Sequence, residues 1–109
     1  LDDVRGQIGR TGHQGLRGTV KLGLACCAAA VDDWTAYDRH LADARQLLKD
    51  TGYLSVDNIW IALRAAELSD GALEPRRARR AWRIAVRQLE GVGRIDEAED
   101  LRDRARGAR

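Results

Sequence analysis

The sequence predicts an all-α fold in which antiparallel helical hairpins stack in series, five to six helices joined by short loops. Three observations predict it. The 44% hydrophobic content is carried mainly by Ala, Leu, Ile and Val, with aromatics at 5%, no Phe and one Pro, a composition that favours close-packed helices over a sheet. Charged residues make up a further 33%. Apolar positions recur at intervals of three and four along most of the chain, which is the period of a helix face. At 109 residues the whole chain, 1–109, has the size of one domain.

Each element follows from local signals. Glycines at 6, 9, 12, 15 and 18 keep a period of three. A collagen-type triple helix is excluded, because these triplets contain no proline and the flanking chain reads as helix. Residues 1–13 are therefore expected to form a weak first helix, about Asp2 to Ile8, and a glycine-loosened connector. From residue 14 onward Leu16, Val20, Leu24 and Ala28 form one apolar stripe of a helix reaching about Val31. Asp32 and Asp33 mark a break and can cap the next start. Trp34, Tyr37, Leu41, Ala44 and Leu48 then repeat at three and four to about Lys49, where Asp50-Thr51-Gly52 signals the end. These two helices make a first pair, 14–50.

Ser55 is a suitable N-cap for a third helix, Val56 to Ser69. It is apolar on several sides through Ile59, Trp60, Ile61, Leu63, Ala66 and Leu68, as expected of a helix sandwiched between others. Asp70-Gly71 stops it, and Pro75 suits the first turn of the fourth helix, which runs to about Glu90 and completes a second pair, 55–91. At 100° per residue, Ala78, Trp82, Ala85 and Leu89 fall within roughly 60°, and Arg76, Arg80, Arg83 and Arg87 fall in a similar sector opposite. A last helix, 94–107, begins with Asp96 and Glu97 and shows a thin apolar edge of Ala98, Leu101 and Ala105.

The chain also repeats itself. Tyr37-x3-Leu41-x2-Ala44 recurs as Ala78-x3-Trp82-x2-Ala85, a shift of 41 residues, and each is preceded twelve residues earlier by an alanine, Ala25 or Ala66. Small residues at these points let paired helices approach closely, and the large residue between them fills the gap. In this pattern the chain resembles the tetratricopeptide (TPR) superfamily over about residues 18–105. The resemblance implies a short right-handed solenoid. The spacing exceeds the family's 34 residues, with the surplus in the connector around 49–56. A third partial match, Gly93-x4-Ala98-x3-Arg102-x2-Ala105, puts Arg where the family has an aromatic, which suggests a solvating end-cap. Alanine-rich and arginine-rich arrays with an Asp-Asp-Trp turn and a Gly-Arg-x-x-Glu-Ala turn are also similar to the C-terminal ends of large bacterial signalling proteins, behind a Ser/Thr kinase or NTPase module.

Several function classes are excluded or unsupported. The longest apolar run, residues 22–31, is far short of the ~18–20 residues a spanning helix needs, so no membrane partner is expected. The only histidines, His13 in the connector and His40 on the second helix, form no visible constellation with a nucleophile, so the expectation is a non-enzyme. Cys26 and Cys27 are adjacent with no third cysteine, which favours small core residues in a reducing cytoplasm over a disulfide, redox or metal role. No zinc spacing and no phosphate loop is present, and the acidic clusters are accounted for by helix caps and solvated faces. No cofactor and no metal are expected. The absence of Met and the start at Leu1 suggest a piece of a longer protein.

Function is therefore sought on surfaces. The TPR resemblance implies that the first helix of each pair lines a groove for peptides, which places Trp60, Leu63 and Glu67 on its wall; packing of Trp60 and Leu63 on a neighbouring helix is the competing reading. Charge is uneven: residues 1–75 carry 8 basic and 11 acidic side chains, whereas 76–109 carry 11 Arg and 6 acids. The face of Arg76, Arg80, Arg83 and Arg87 is solvated surface, a site for an acidic peptide or carboxylate, or a nucleic-acid footprint. The reading that results is a non-catalytic protein-interaction or scaffolding module of a larger cytoplasmic bacterial signalling protein. The alternatives are a nucleic-acid-binding helical domain and a self-associating module that forms a homodimer through an open repeat end.

Overall fold

A computed structural model describes the backbone of residues 2–107 and the side chains of residues 13–107. Five helices account for it, with no strand among the described residues: α1 Asp2–Ala30, α2 Trp34–Thr51, α3 Val56–Gly71, α4 Pro75–Gly91 and α5 Ile95–Gly107. The local signals act as expected at most boundaries. The Asp33 carboxylate accepts from the Ala36 amide, the Ser55 hydroxyl accepts from the Asp57 amide, Gly52 takes the left-handed conformation (φ 65°), and Pro75 opens α4.

The first element departs from expectation. No connector separates a weak helix from a second one; α1 is a single helix of 29 residues that runs through the glycine triplets and contains His13. Glycine lowers helix propensity by about 1 kcal/mol relative to alanine, but unlike proline it keeps its N–H, so no ladder bond is lost.

α1 packs on α2 and α3 packs on α4, each pair closed by a short turn, while α1 also lies against α3 and α5 against α4. α2 and α4 touch lightly. The two hairpins bury matching positions. Ala25, Tyr37, Ala44, Ala66, Ala78 and Ala85 are fully enclosed, and Leu41, Trp82, Leu48 and Leu89 are nearly so. The 41-residue shift also relates the turns. In both, a residue in the left-handed region (Asp32, φ 57°; Leu73, φ 62°) precedes an amide that bonds back to a carbonyl five residues earlier, Asp33 to Ala28 and Glu74 to Ser69. The same turn closes α4 onto α5, with Gly93 in the left-handed position and the Arg94 amide bonded to Leu89.

The buried face of α1 is not the stripe that periodicity picked out. Of Leu16, Val20, Leu24 and Ala28, only Ala28 is inside. The face that meets the rest of the molecule is Gly15, Gly18, Leu22, Ala25 and Ala29. Contact is close enough that a Cβ at Gly15 would stand 2.4 Å from the Tyr53 ring and one at Gly18 3.0 Å from Leu48. The smallest side chain therefore sets the helix spacing, and a hydropathy pattern does not register it.

α3 does lie between two others, α1 and α4, but not all of the apolar residues expected to be enclosed are. Its interior is Asn58, Ile59, Ala62, Ala65, Ala66 and Ser69, while Ile61, Leu63 and Leu68 are half-buried and Trp60 is exposed. α4 is more fully enclosed, adding Ala81, Ile84, Val86 and Gln88 to its predicted core face because α5 and, lightly, α2 flank it as well as α3.

A buried polar knot joins the two hairpins. Thr19 Oγ1 donates to Asn58 Oδ1 at 2.7 Å, and Asn58 Nδ2 donates to Gln88 Oε1 at 3.3 Å. That oxygen also accepts the Ser55 amide, and Gln88 Nε2 donates to the Tyr53 carbonyl. Burying amides is tolerable because their groups find partners.

Candidate functional site

The outward side of α4, between α2 and α5, forms a groove of about 610 Å³. Residues one turn apart on a helix share a face, so Arg80, Arg83 and Arg87 project along its length. Arg79 lines it as well, and the flanking helices contribute Arg45 from α2 and Arg102 and Arg106 from α5. Two carboxylates face these seven arginines. Asp38 holds one rim through Arg80 (3.2 Å), and Glu90 binds Arg102 (2.8 Å), pinning α5 to α4. Between the charges lie Leu41, Ala42, Ile84, Val86 and Ala105. Of the four arginines expected on this face, Arg80, Arg83 and Arg87 line the groove; Arg76 is exposed and is not part of its lining.

Arg77, one residue along, plays a different part. Its Nε and Nη2 bind both oxygens of Asp38 at 3.0 and 2.9 Å, its Nη1 binds Glu74 at 2.7 Å, and its guanidinium lies over the Trp34 ring, 5.5 Å from the centroid. Trp34 in turn meets Tyr37 edge-on, and the Tyr37 hydroxyl donates to the Arg77 carbonyl at 2.9 Å. The Arg77 guanidinium is the main reason the Asp38 carboxyl is held below its ordinary range, with Arg80 adding to the effect. Burial raises the Tyr37 hydroxyl above its ordinary value. This clamp ties α2 to α4 beside the groove.

A second surface lies on the outside of α1 and α3. Leu16, Val20, Leu24 and Cys27 fall within about 80° of one another on α1 at 100° per residue, and all four are exposed, as is Val31 in the turn that follows. On α3, Trp60 is 64% exposed, Leu63 is half-buried and Glu67 is exposed and pairs with Arg64 at 3.7 Å. Trp60 thus faces solvent instead of packing on a neighbouring helix, while Leu63 packs partly against the core. The stripe on α1 was legible in the sequence as a stripe, and its side of the helix was not.

Neither the histidines nor the cysteines line the groove. His13 is exposed on α1, and His40 is half-buried with its Nδ1 unpaired among the described residues. Cys26 is half-buried, and burial raises its thiol, with Cys27 adding to the shift. Cys27 is exposed, not a core residue, because it belongs to the outward stripe of α1. Among the described residues no group of three or more His, Cys, Asp or Glu is placed to hold a metal ion, and no helix is long and apolar enough to cross a membrane. Comparison of the chain with protein-family models, with curated proteins and with solved structures gives no match.

Proposed function

We propose that the chain is a non-catalytic protein-interaction module, a TPR-like helical array that holds a partner by surface complementarity. The observations that carry this reading are the exposed stripe of Leu16, Val20 and Leu24 on α1 and the exposed Trp60 on α3. Exposed apolar stripes of this length mark contact surfaces, and aromatic side chains dominate their energetics. Its place within a larger cytoplasmic bacterial signalling protein rests on the sequence resemblance.

The test uses Val20→Glu and Trp60→Ala, both at exposed positions, so helical content measured by circular dichroism should stay unchanged. A protein captured by the unaltered chain is purified and its binding measured directly. The expected outcome is an affinity that each variant weakens by about tenfold or more. Binding that neither variant alters would defeat the assignment of this face.

The same stripe favours one further reading, self-association of two copies through α1. Sedimentation velocity across protein concentrations separates the two. A dimer that Val20→Glu converts to monomer supports self-association, and a monomer at all concentrations leaves the face to a different protein.

A further inference from the structure

The groove beside α4 shares no residue with the outer face of α1 and α3, so it stands or falls independently of the function proposed above. Its two carboxylates are already engaged, Asp38 with Arg77 and Arg80, and Glu90 with Arg102. Arg45, Arg83 and Arg87 have no carboxylate partner among the described residues. Charge of one sign is thus concentrated in a concave surface on a chain whose formal net charge is only +2. Such concentration focuses field lines on an anionic ligand.

The class of anion follows from what lies between the charges. The lining contains no Trp, Tyr or His, so it offers no platform on which a base could stack. It does offer a shallow aliphatic floor, from Ala42 and Ala105 and the edges of the otherwise buried Leu41, Ile84 and Val86. A ligand that fits carries carboxylates and aliphatic side chains side by side, which describes a peptide and not a sugar-phosphate strand. Arg80, Arg83 and Arg87 are spaced about 4.5 and 6 Å along the helix axis. That matches carboxylates one turn apart on a helix or two residues apart in an extended chain. Each guanidinium can take a carboxylate through two parallel N–H donors, which lysine cannot do.

We propose that the groove between α2, α4 and α5 docks an acidic peptide segment, its carboxylates on Arg83, Arg87 and Arg45 and its aliphatic side chains on the floor beside Ile84. The segment belongs to a partner protein rich in Glu or Asp with interspersed Leu or Val.

The experiment measures fluorescence anisotropy of a labelled peptide of about twelve residues with Glu and Leu in alternating turns, added to the full chain. Saturable binding at micromolar peptide is expected. The double variant Arg83→Gln/Arg87→Gln should weaken it about tenfold, Arg45→Gln by several-fold from a different helix, and Arg76→Gln by less than about twofold. Raising salt from about 50 to 500 mM should lower the affinity several-fold without abolishing it, because the floor contacts are unscreened. Absence of saturation below about 1 mM, equal binding of the Gln/Leu version of the peptide, or an equal loss in Arg76→Gln each overturns the proposal. So does displacement of the peptide by oligothymidylate at a lower concentration than by unlabelled peptide, which would make the groove a nucleic-acid surface.

Discussion

The two hairpins, α1–α2 and α3–α4, share an interior and differ on the outside. Both enclose an alanine on the first helix and, on the second, a buried series that ends in alanine, Tyr37-Leu41-Ala44 or Ala78-Trp82-Ala85, and both close with the same left-handed turn. Outside, the first hairpin presents the aliphatic stripe of α1, whereas the second presents the arginines of α4. Packing demands are identical at related positions and therefore constrain side chains alike, while the solvent-facing sides answer to whatever they meet. Shared positions describe the fold, and divergent ones point to function.

The strongest way to break the comparison is to empty its large middle position. Trp82→Ala should cost about 3–5 kcal/mol and the related Leu41→Ala about 2–5 kcal/mol, read from urea unfolding midpoints. A large loss at one position with a small loss at the other would mean that the two interiors are not equivalent. The pair Gly15 and Val56, also 41 residues apart, sharpens it from the opposite side. Gly15→Ala drives a Cβ against Tyr53 near its own Cβ, where the ring cannot swing clear, and should cost about 1–3 kcal/mol. Val56 is exposed, and Val56→Ala should stay within about 0.5 kcal/mol.

Smaller effects come from the turns. Leu73 holds φ 62° with its side chain 87% exposed, and the related turn after α4 uses Gly93 there. Leu73→Gly should raise stability by about 0.5–1 kcal/mol, since a branched side chain disfavours the left-handed region. Asp32→Gly should gain less, because aspartate visits that region more readily.

The smallest effect is the pH dependence of the clamp that only the second hairpin supplies through Arg77. The Asp38 carboxyl titrates below its ordinary 3.8, so its contribution is present above that pH and is lost as pH falls through the lower folded value. Asp38→Asn should therefore lower the unfolding midpoint at neutral pH and converge with the unaltered chain once the pH has fallen below the folded value. Because Asp38 is over a third exposed, solvent screens the pair and the difference should be slight.

What the sequence disclosed divides along the same line. The ends of α2, α3 and α4 were legible because Asp33, Ser55, Gly52 and Pro75 act through neighbouring amides and carbonyls. The inward side of α1 was not, since Gly15 and Gly18 carry no hydropathy, yet they decide where α2 and Tyr53 can approach. Arg80, Arg83 and Arg87 followed from 100° arithmetic within one helix. Arg45, Arg102 and Arg106 join them only because α2 and α5 fold to either side. Arg77 offered one missed signal. A cation in the first turn of a helix opposes the backbone dipole, and its presence there asks for carboxylates, which Glu74 and Asp38 provide.

The knot of Thr19, Asn58 and Gln88 bears on how the chain comes apart. Stacked hairpins that meet only through apolar contacts can melt one unit at a time from an open end. Here, opening the first hairpin strands the Asn58 side-chain oxygen and opening the second strands the Thr19 hydroxyl bonded to it, in a site with few substitutes. Loss of one unit therefore destabilises the next, and amide protons of α1, α3 and α4 should exchange with solvent through a single shared opening. The chain should unfold as one cooperative body, with α5, which among the described residues packs on α4 alone, as the segment that frays first.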